Sequence, residues 1–299
     1  MSVVRLHPPQ PTKYIMENIL AQATAKHGQF IFFRNDDPIG ACLHYYGEWA
    51  QQEFDFFDQF LTETSNVIDV GANIGTHSVY FSRKCNKGNV VSIEPQIYIF
   101  ELLNTNLLMN GCFNTFPIHA GAGSKEDEIR MININPFHGE KVNYGEFKVN
   151  SETDKGVHTR IIKLDKFIDL ARFDLIKLDV EGLELDVLEG SKKLLKKHKP
   201  FLYIEFNNKK GNDDLLKKIY QLDYIPYWHV YTKHNPNNHN KQAVNIWEPD
   251  NYVINEENLD LRYEGNAFCV HKNHVQPVGF DKIEIGSNIT KWLFEKGYL

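Results

Sequence analysis

Two acids at the ends of successive apolar runs are the residues whose type and spacing point most directly to chemistry. In the stretch VIDVGANIGTHS an apolar run delivers Asp69, a turn containing Gly71, Ala72, Asn73 and Gly75 comes next, and Thr76 and His77 open a helical pattern. Gly71 and Gly75 let the backbone turn sharply and let a ligand approach the main chain, and asparagine tolerates the positive φ that the position of Asn73 invites. Amides exposed at the helix start favour a carboxylate or a phosphate. A nicotinamide-cofactor turn would read G-x-G-x-x-G, whereas these glycines are spaced G-x-x-x-G with an acid two residues ahead of the first. An acid there repels a pyrophosphate and attracts an ammonium group. An amino-acid-bearing nucleoside such as S-adenosylmethionine offers ammonium, carboxylate and sulfonium together. Glu94 ends the next run, where a carboxylate accepts hydrogen bonds from both ribose hydroxyls, and Pro95 after it suits a first helical position.

The second stretch is DLIKLDVEGLELDVLEG, a run ending in Asp179 with Glu181 just beyond. Ligands of open parallel sheets bind beyond the carboxyl ends of the strands where strand order reverses, and the strands bearing Asp69 and Asp179 are expected to flank that point. Lys177 falls on the same side of its strand as Asp179, and its simplest reading is an ion pair with Asp179 or Glu205. Asp179, Glu181 and Glu205 could also offer oxygen ligands to a divalent cation if they converge. The separations of His229, His234 and His239 match no familiar zinc pattern, so no metal-ligating set is assigned. Tyr46, Glu48 and Trp49, with Glu205, Trp228 and His229, combine flat apolar faces with hydrogen-bonding groups and suit contact with a sugar ring.

These residues need a scaffold, and short apolar runs alternating with helical patterns from Asn66 onward specify parallel strands joined by crossover helices. Strands are expected at Val67–Val70, Val90–Ile93, Thr115–His119, Leu175–Leu178 and Phe201–Glu205, with a late strand at Ala267–His271. Ile99, Leu102, Leu103, Leu107 and Leu108 mark a helix that Asn110-Gly111 stops. Upstream, residues 28–49 read as two short strands around a turn at Asn35–Pro38, followed by an amphipathic helix with Phe54, Phe57, Phe60 and Leu61. The organisation expected is an N-terminal helical and hairpin extension over residues 1–62, then one domain over 63–299 that includes a polar loop at about 229–245.

Composition bounds the rest. The 299 residues are 42% hydrophobic and 24% charged, with a net charge of −6, which suits a globular fold and gives no electrostatic reason to bind nucleic acid. Four scattered cysteines form no C-x-x-C pair and no disulfide framework. The N-terminus lacks the apolar core of a secretion signal and no stretch is long enough to span a membrane, so a cytoplasmic protein is expected, with a homo-oligomer left open.

VIDVGANIG, SIEP, NLLMNG, IKLDVEGLELDVLEG and LYIE, in this order and spacing, resemble the FkbM-type family of S-adenosylmethionine-dependent methyltransferases. The resemblance extends upstream to FFRNDDPIG and HYYGEW and downstream to YWHVYTKHNPNN. It implies an α/β, Rossmann-like class I methyltransferase fold, with seven mostly parallel strands, helices on both faces and an N-terminal cover. It also implies methylation of a hydroxyl, on a sugar or other small-molecule or glycan acceptor. Asp69, Gly71, Asn73, Gly75 and Glu94 carry over to cofactor binding, and Ala72, Thr76 and Pro95 join them from the same turns. No catalytic residue carries over. A hydroxyl must lose its proton as it attacks, so Asp179 and Glu181 are the first candidates for catalysis and His77 the next. The rival readings are a nicotinamide-dependent oxidoreductase and a cofactor-binding module without catalysis.

Overall fold

The computed structural model describes residues 19–131, 141–145, 156–167, 171–206, 212–248 and 262–298. The first 18 residues of the expected extension and part of the insertion after Lys125 lie outside these. An antiparallel hairpin of β1 (Leu20–Ala25) and β2 (Gly28–Phe33) comes first, then α1 (Ile39–Tyr45) and α2 (Gln51–Phe57). The alternating core begins with β3 (Val67–Val70), α3 (Thr76–Lys84), β4 (Val90–Glu94), α4 (Ile97–Met109) and β5 (Thr115–His119). An insertion carries β6 (Gly121–Ala122), β7 (Asp127–Met131), β8 (Val157–Ile162) and a short α5 (Leu164–Phe167). The chain continues with β9 (Leu175–Leu178), α6 (Glu184–Gly190), α7 (Lys192–His198), β10 (Phe201–Glu205), α8 (Asn212–Gln221), β11 (Tyr224–Thr232), β12 (Tyr263–His271) and α9 (Ile289–Glu295).

The central sheet has seven strands in the order β11-β12-β10-β9-β3-β4-β5, all parallel but β12, which runs against both neighbours. This is the mostly parallel sheet that the resemblance implied. Strand order reverses between β3 and β9, so Asp69 and Lys177 pair across the switch point.

The pleat sorts the side chains. Ile68, Val70, Ile93, Ile176, Leu178, Leu202 and Ile204 join the cluster that contains Val187, Leu195 and Leu216 of α6, α7 and α8. Val67, Val90, Leu175 and Tyr203 instead pack with Phe54 and Phe57 of α2 and Tyr80 and Phe81 of α3. Because side chains alternate along a strand, Asp69, Ser92, Glu94, Lys177 and Glu205 share this second face, toward the carboxyl ends of their strands. Phe54, Phe57 and Phe81 are buried, and each such ring contributes roughly 1.5–3 kcal/mol by leaving water. Asn106, fully buried on α4, accepts the Ile31 amide at 2.7 Å and donates to the Ile31 and Ile74 carbonyls at 3.0 and 2.8 Å. One side chain thus ties the hairpin to the glycine turn.

The expectation for residues 28–49 needs correction. The hairpin turns at Lys26 and His27, and the segment after Pro38 is α1, not a second strand. Ile39, Cys42, Leu43 and Tyr46 recur at helical spacing and are all buried, and Asp36 Oδ2 accepts the Gly40 amide at 3.0 Å at the helix start. All four cysteines are buried thiols. Among the described residues no helix is long and apolar enough to cross a membrane.

Candidate active site

A cavity of about 730 Å³ opens at the carboxyl ends of β3, β4, β9 and β10, roofed by α1, α2 and the segment after β11. One wall is the glycine turn. Gly71, Asn73 and Gly75 all have positive φ, 79°, 49° and 90°. Gly71 is required by space as well: a Cβ there would lie 1.8 Å from the Asp179 carbonyl oxygen, so the turn after β3 passes against the end of β9 with no room for a side chain. Gly71, Ala72, Asn73 and Thr76 line the cavity. Gly75 packs against Leu103, and Pro95 stands behind the wall with its carbonyl 2.9 Å from His119 Nε2.

Glu94 lines the same cavity. Its Oε2 accepts the Asn73 amide at 3.0 Å and Oε1 the Gln96 amide at 2.8 Å. Burial pushes its carboxyl up to about 7, although the two amide bonds pull the other way. Each oxygen keeps a lone pair for a further donor. Asp69 is placed differently from the direct ammonium grip expected of it. It is fully buried behind the turn, Oδ2 accepts the Ser78 hydroxyl at 2.6 Å, and among the described residues Oδ1 has no hydrogen bond, with the Lys177 ammonium 3.8 Å away.

The candidate catalytic residues His77, Asp179 and Glu181 all line the cavity. Lys177 lies among them, buried, donating to Asp179 Oδ2 at 3.2 Å, which agrees with the ion-pair reading. Burial alone would lower the ammonium, but Asp179, Asp69 and Glu53 outweigh it and raise it above the usual lysine range. Lys177 is therefore a fixed cation. His77 Nε2 lies 2.8 Å from Glu53 Oε2. Asp179, Glu181 and Glu205 each bring one carboxylate oxygen within 4.8 Å of the others. Such clusters are common without an ion, and the Lys177 charge already stands beside Asp179, so no step is assigned to a cation.

At the end away from the glycine turn, Tyr46, Glu48, Trp49 and Glu205 line the cavity. Glu48 and Tyr46 also fasten the polar loop: Glu48 accepts Asn235 Nδ2 at 2.7 Å and the His239 amide at 2.8 Å, and the Tyr46 hydroxyl donates to the Val244 carbonyl at 2.9 Å. Trp228 and His229 are not in the wall. Trp228 packs between Phe206 and Trp292. His229 stacks on Phe56 with centroids 4.2 Å apart and shares a 2.7 Å hydrogen bond with the Tyr203 hydroxyl, and burial pushes its imidazole down to about 4. Strand direction explains the correction: β11 runs parallel to the core strands, so Tyr231 near its end and Lys233 just past it reach the carboxyl end and line the cavity instead. Sequence reasoning also missed Glu53, Trp247, Glu264 and Asn266. Glu53 alone carried a signal, an acid beside Phe54 on the helix face that packs inward. Trp247 lies 6.2 Å from Trp49, and Lys233 sits over its ring at 4.9 Å while pairing with Glu264 at 3.2 Å.

The methyltransferase FkbM domain matches residues 69–226. Over 147 residues the chain is 26% identical to Methyltransferase 1 of Beauveria bassiana, covering 43% of this chain and 59% of that one. Over 125 residues it is 31% identical to the hexuronic acid methyltransferase AglP of Haloferax volcanii, covering 41% of this chain and 48% of that one. The chain therefore spans about half to three-fifths of the length of these relatives. A crystal structure of methyltransferase FkbM from Methylobacillus flagellatus superposes with a TM-score of 0.45 at 19% identity, over 77% of this chain and 51% of that one. The matched domain begins at the acid ahead of the glycine turn, holds both strand-end motifs and covers just over half of the sequence, so the chain belongs to the FkbM methyltransferase domain family.

Proposed function

We propose that the chain transfers a methyl group from S-adenosylmethionine to a hydroxyl of a sugar or glycosylated metabolite. The observation that carries this reading is a single cavity joining Glu94 and the Gly71–Asn73 turn to His77, Lys177, Asp179 and Trp49. The residues fit the cofactor. Glu94 can accept from ribose hydroxyls, the turn leaves backbone rather than side chain at the wall, and the orphaned Oδ1 of Asp69 places negative charge behind that turn. Bound S-adenosylmethionine would supply the methyl on a sulfonium, whose bonding pair stays on sulfur as the methyl leaves.

The chain's own residues orient the acceptor and handle its charge. Positioning alone contributes up to about 7–11 kcal/mol in well-oriented systems. Lys177 has three N–H donors, and among the described residues only Asp179 takes a hydrogen bond from them. The remaining donors suit the acceptor oxygen, where a cation stabilises the negative charge that grows as the hydroxyl ionises. The proton goes to one of the lining groups His77, Asp179 or Glu181. The relative named for hexuronic acid supports a sugar acceptor. Here the acceptor end carries Glu53, Asp179, Glu181, Glu205 and Glu264 against Lys177 and Lys233, a balance that suits a neutral hydroxyl better than a carboxylate.

The test is calorimetry with S-adenosylhomocysteine and with NADH, followed by mass spectrometry of a saccharide panel incubated with isotope-labelled S-adenosylmethionine. Binding of S-adenosylhomocysteine and a gain of one methyl on a saccharide are expected. Binding of NADH without S-adenosylhomocysteine would overturn the reading, and cofactor binding with no methyl uptake by any hydroxyl compound would favour a non-catalytic module.

A further inference from the structure

Glu53 lies outside both strand-end motifs and outside the matched FkbM segment, yet three cavity residues converge on its carboxylate. The side chain is buried, Oε2 lies 2.8 Å from His77 Nε2, and Oε1 accepts the Tyr231 hydroxyl at 2.7 Å and the Asn266 amide at 3.2 Å. Two donors on Oε1 fix the rotation of the carboxylate, so Oε2 is presented to the imidazole. The helix beneath cannot drift, because Phe54, Phe56 and Phe57 of α2 are locked in the core. The ring is boxed as well, edge-on to Phe54 at 5.0 Å and to Phe57 at 6.5 Å. Among the described residues nothing hydrogen-bonds His77 Nδ1, while the ring lines the cavity.

We propose that Glu53 is the positioning residue that makes His77 the proton acceptor of methyl transfer, by accepting a hydrogen bond from Nε2–H and so leaving the lone pair on Nδ1 for the acceptor hydroxyl. The proposal rests on the O-methyltransferase reading and deepens it. A buried carboxylate on one imidazole nitrogen selects the tautomer, holds the ring and balances the imidazolium that forms. Burial would raise the Glu53 carboxyl, but the hydrogen bond from His77, the Lys177 charge and the Tyr231 hydroxyl pull it the other way and favour the carboxylate. In the step, the acceptor oxygen bonds to the methyl carbon as its O–H bond breaks, the proton passes to Nδ1, and the electron pair of the broken sulfur–carbon bond remains on sulfur. Asp179 is the less available base because Lys177 already donates to it. The completed site then draws on three regions: α2 for the carboxylate, α3 for the imidazole, and the β11–β12 edge for the braces.

Histidine imidazoles labelled with ¹⁵N in the intact protein report the tautomer directly by long-range ¹H–¹⁵N correlation, with His77 assigned from the His77→Gln variant. The expected wild-type spectrum shows one tautomer with the proton on Nε2. In Glu53→Gln that single-tautomer pattern is lost, and kcat toward the saccharide identified by methyl uptake falls by about 100-fold with KM little changed. Affinity for S-adenosylhomocysteine stays within about threefold. Should Glu53→Gln not fold, Tyr231→Phe removes one brace without touching His77 and gives a smaller change in the same direction in both readouts. A proton on Nδ1 in the wild type, or spectra and kcat unchanged in both variants, overturns the proposal. Failure of the wild type to bind S-adenosylhomocysteine sinks the methyltransferase reading instead and leaves the tautomer result standing.

Discussion

The two ends of the cavity are built on different principles. The end proposed for the cofactor is mostly local backbone: one turn with three left-handed residues and two amides, joined by one strand-end acid. The end proposed for the acceptor is made of side chains from α1, α2, β11, β12 and the segment reaching Trp247, held together by hydrogen bonds such as Asn235 to Glu48 and Tyr231 to Glu53. A backbone site is specified by local sequence and tolerates little change. A side-chain site can exchange its members without disturbing the sheet.

Gly71→Ala is the harshest test of that contrast. The new Cβ meets a backbone oxygen at 1.8 Å and the residue must keep φ near 79°, so neither partner can yield cheaply. Loss of S-adenosylhomocysteine binding by more than about 100-fold is expected, with destabilisation well beyond the ~1 kcal/mol typical of point substitutions. Calorimetry and thermal melting measure both, and near-normal affinity would show that the turn is not the cofactor wall. Lys177→Met comes next. It strands Asp69, fully buried, without the ammonium beside it, and removing one member of a buried pair typically costs about 3–5 kcal/mol. The folded-state value of Lys177 is raised, so its contribution is complete below the unfolded lysine value of about 10.4 and fades only as pH climbs through the higher folded value. Urea titrations at neutral pH should therefore show the full deficit. Turnover should fall far more than cofactor affinity; the reverse order would move Lys177 to the cofactor end.

Legibility in the sequence divides along the same line. Val67–Val70, Leu175–Leu178 and Phe201–Glu205 were legible to the residue because strands covered on both faces are short, largely apolar runs with strong stops, and Thr115–His119, an edge strand, was legible from its spacing after the Asn110-Gly111 helix stop. The glycine turn was legible because positive φ restricts residue choice, and Asn73 does take φ 49°. Residues 39–45 were misread because seven residues with five apolar ones fit a short strand nearly as well as a two-turn helix, and burial decided. Trp228 and His229 were misplaced because composition marks an aromatic segment without saying which end of the strand meets the cavity. Glu53, Tyr231 and Asn266 were invisible as a group, since residues separated by 178 and 213 positions meet only once the sheet edge closes.

Glu94 sharpens the comparison through pH. Its folded value is raised to about 7 against 4.5 for the free residue, so charging it opposes folding, and stability falls as pH rises from about 4.5 through 7. Ribose hydroxyls donating to the carboxylate favour the charged form, so ligand binding should expel a proton when the free carboxyl is partly protonated. Calorimetry of S-adenosylhomocysteine near pH 6.5, in buffers of differing ionisation enthalpy, should detect release of a fraction of one proton, and affinity should rise between about pH 6 and 8. Both effects should vanish in Glu94→Gln. Uptake instead of release would mean that the ligand buries this carboxyl without bonding it.

The smallest effect is expected at His229, where the contrast between composition and placement is sharpest. The imidazole stacks on Phe56, bonds the Tyr203 hydroxyl and lies outside the cavity wall, so His229→Phe preserves the stack and removes one hydrogen bond. Leaving a buried tyrosine hydroxyl without its partner costs about 1–3 kcal/mol, visible as a lower melting temperature. Because burial holds His229 near 4, it is neutral at pH 7 and no charge is lost there. Acceptor KM and kcat should then stay within about twofold at pH 7, since a substitution away from the wall alters stability without altering what the wall offers. A KM that rises tenfold or more with kcat unchanged would return His229 to the acceptor site and would mean that the β11 edge moves toward the cavity when substrate is bound.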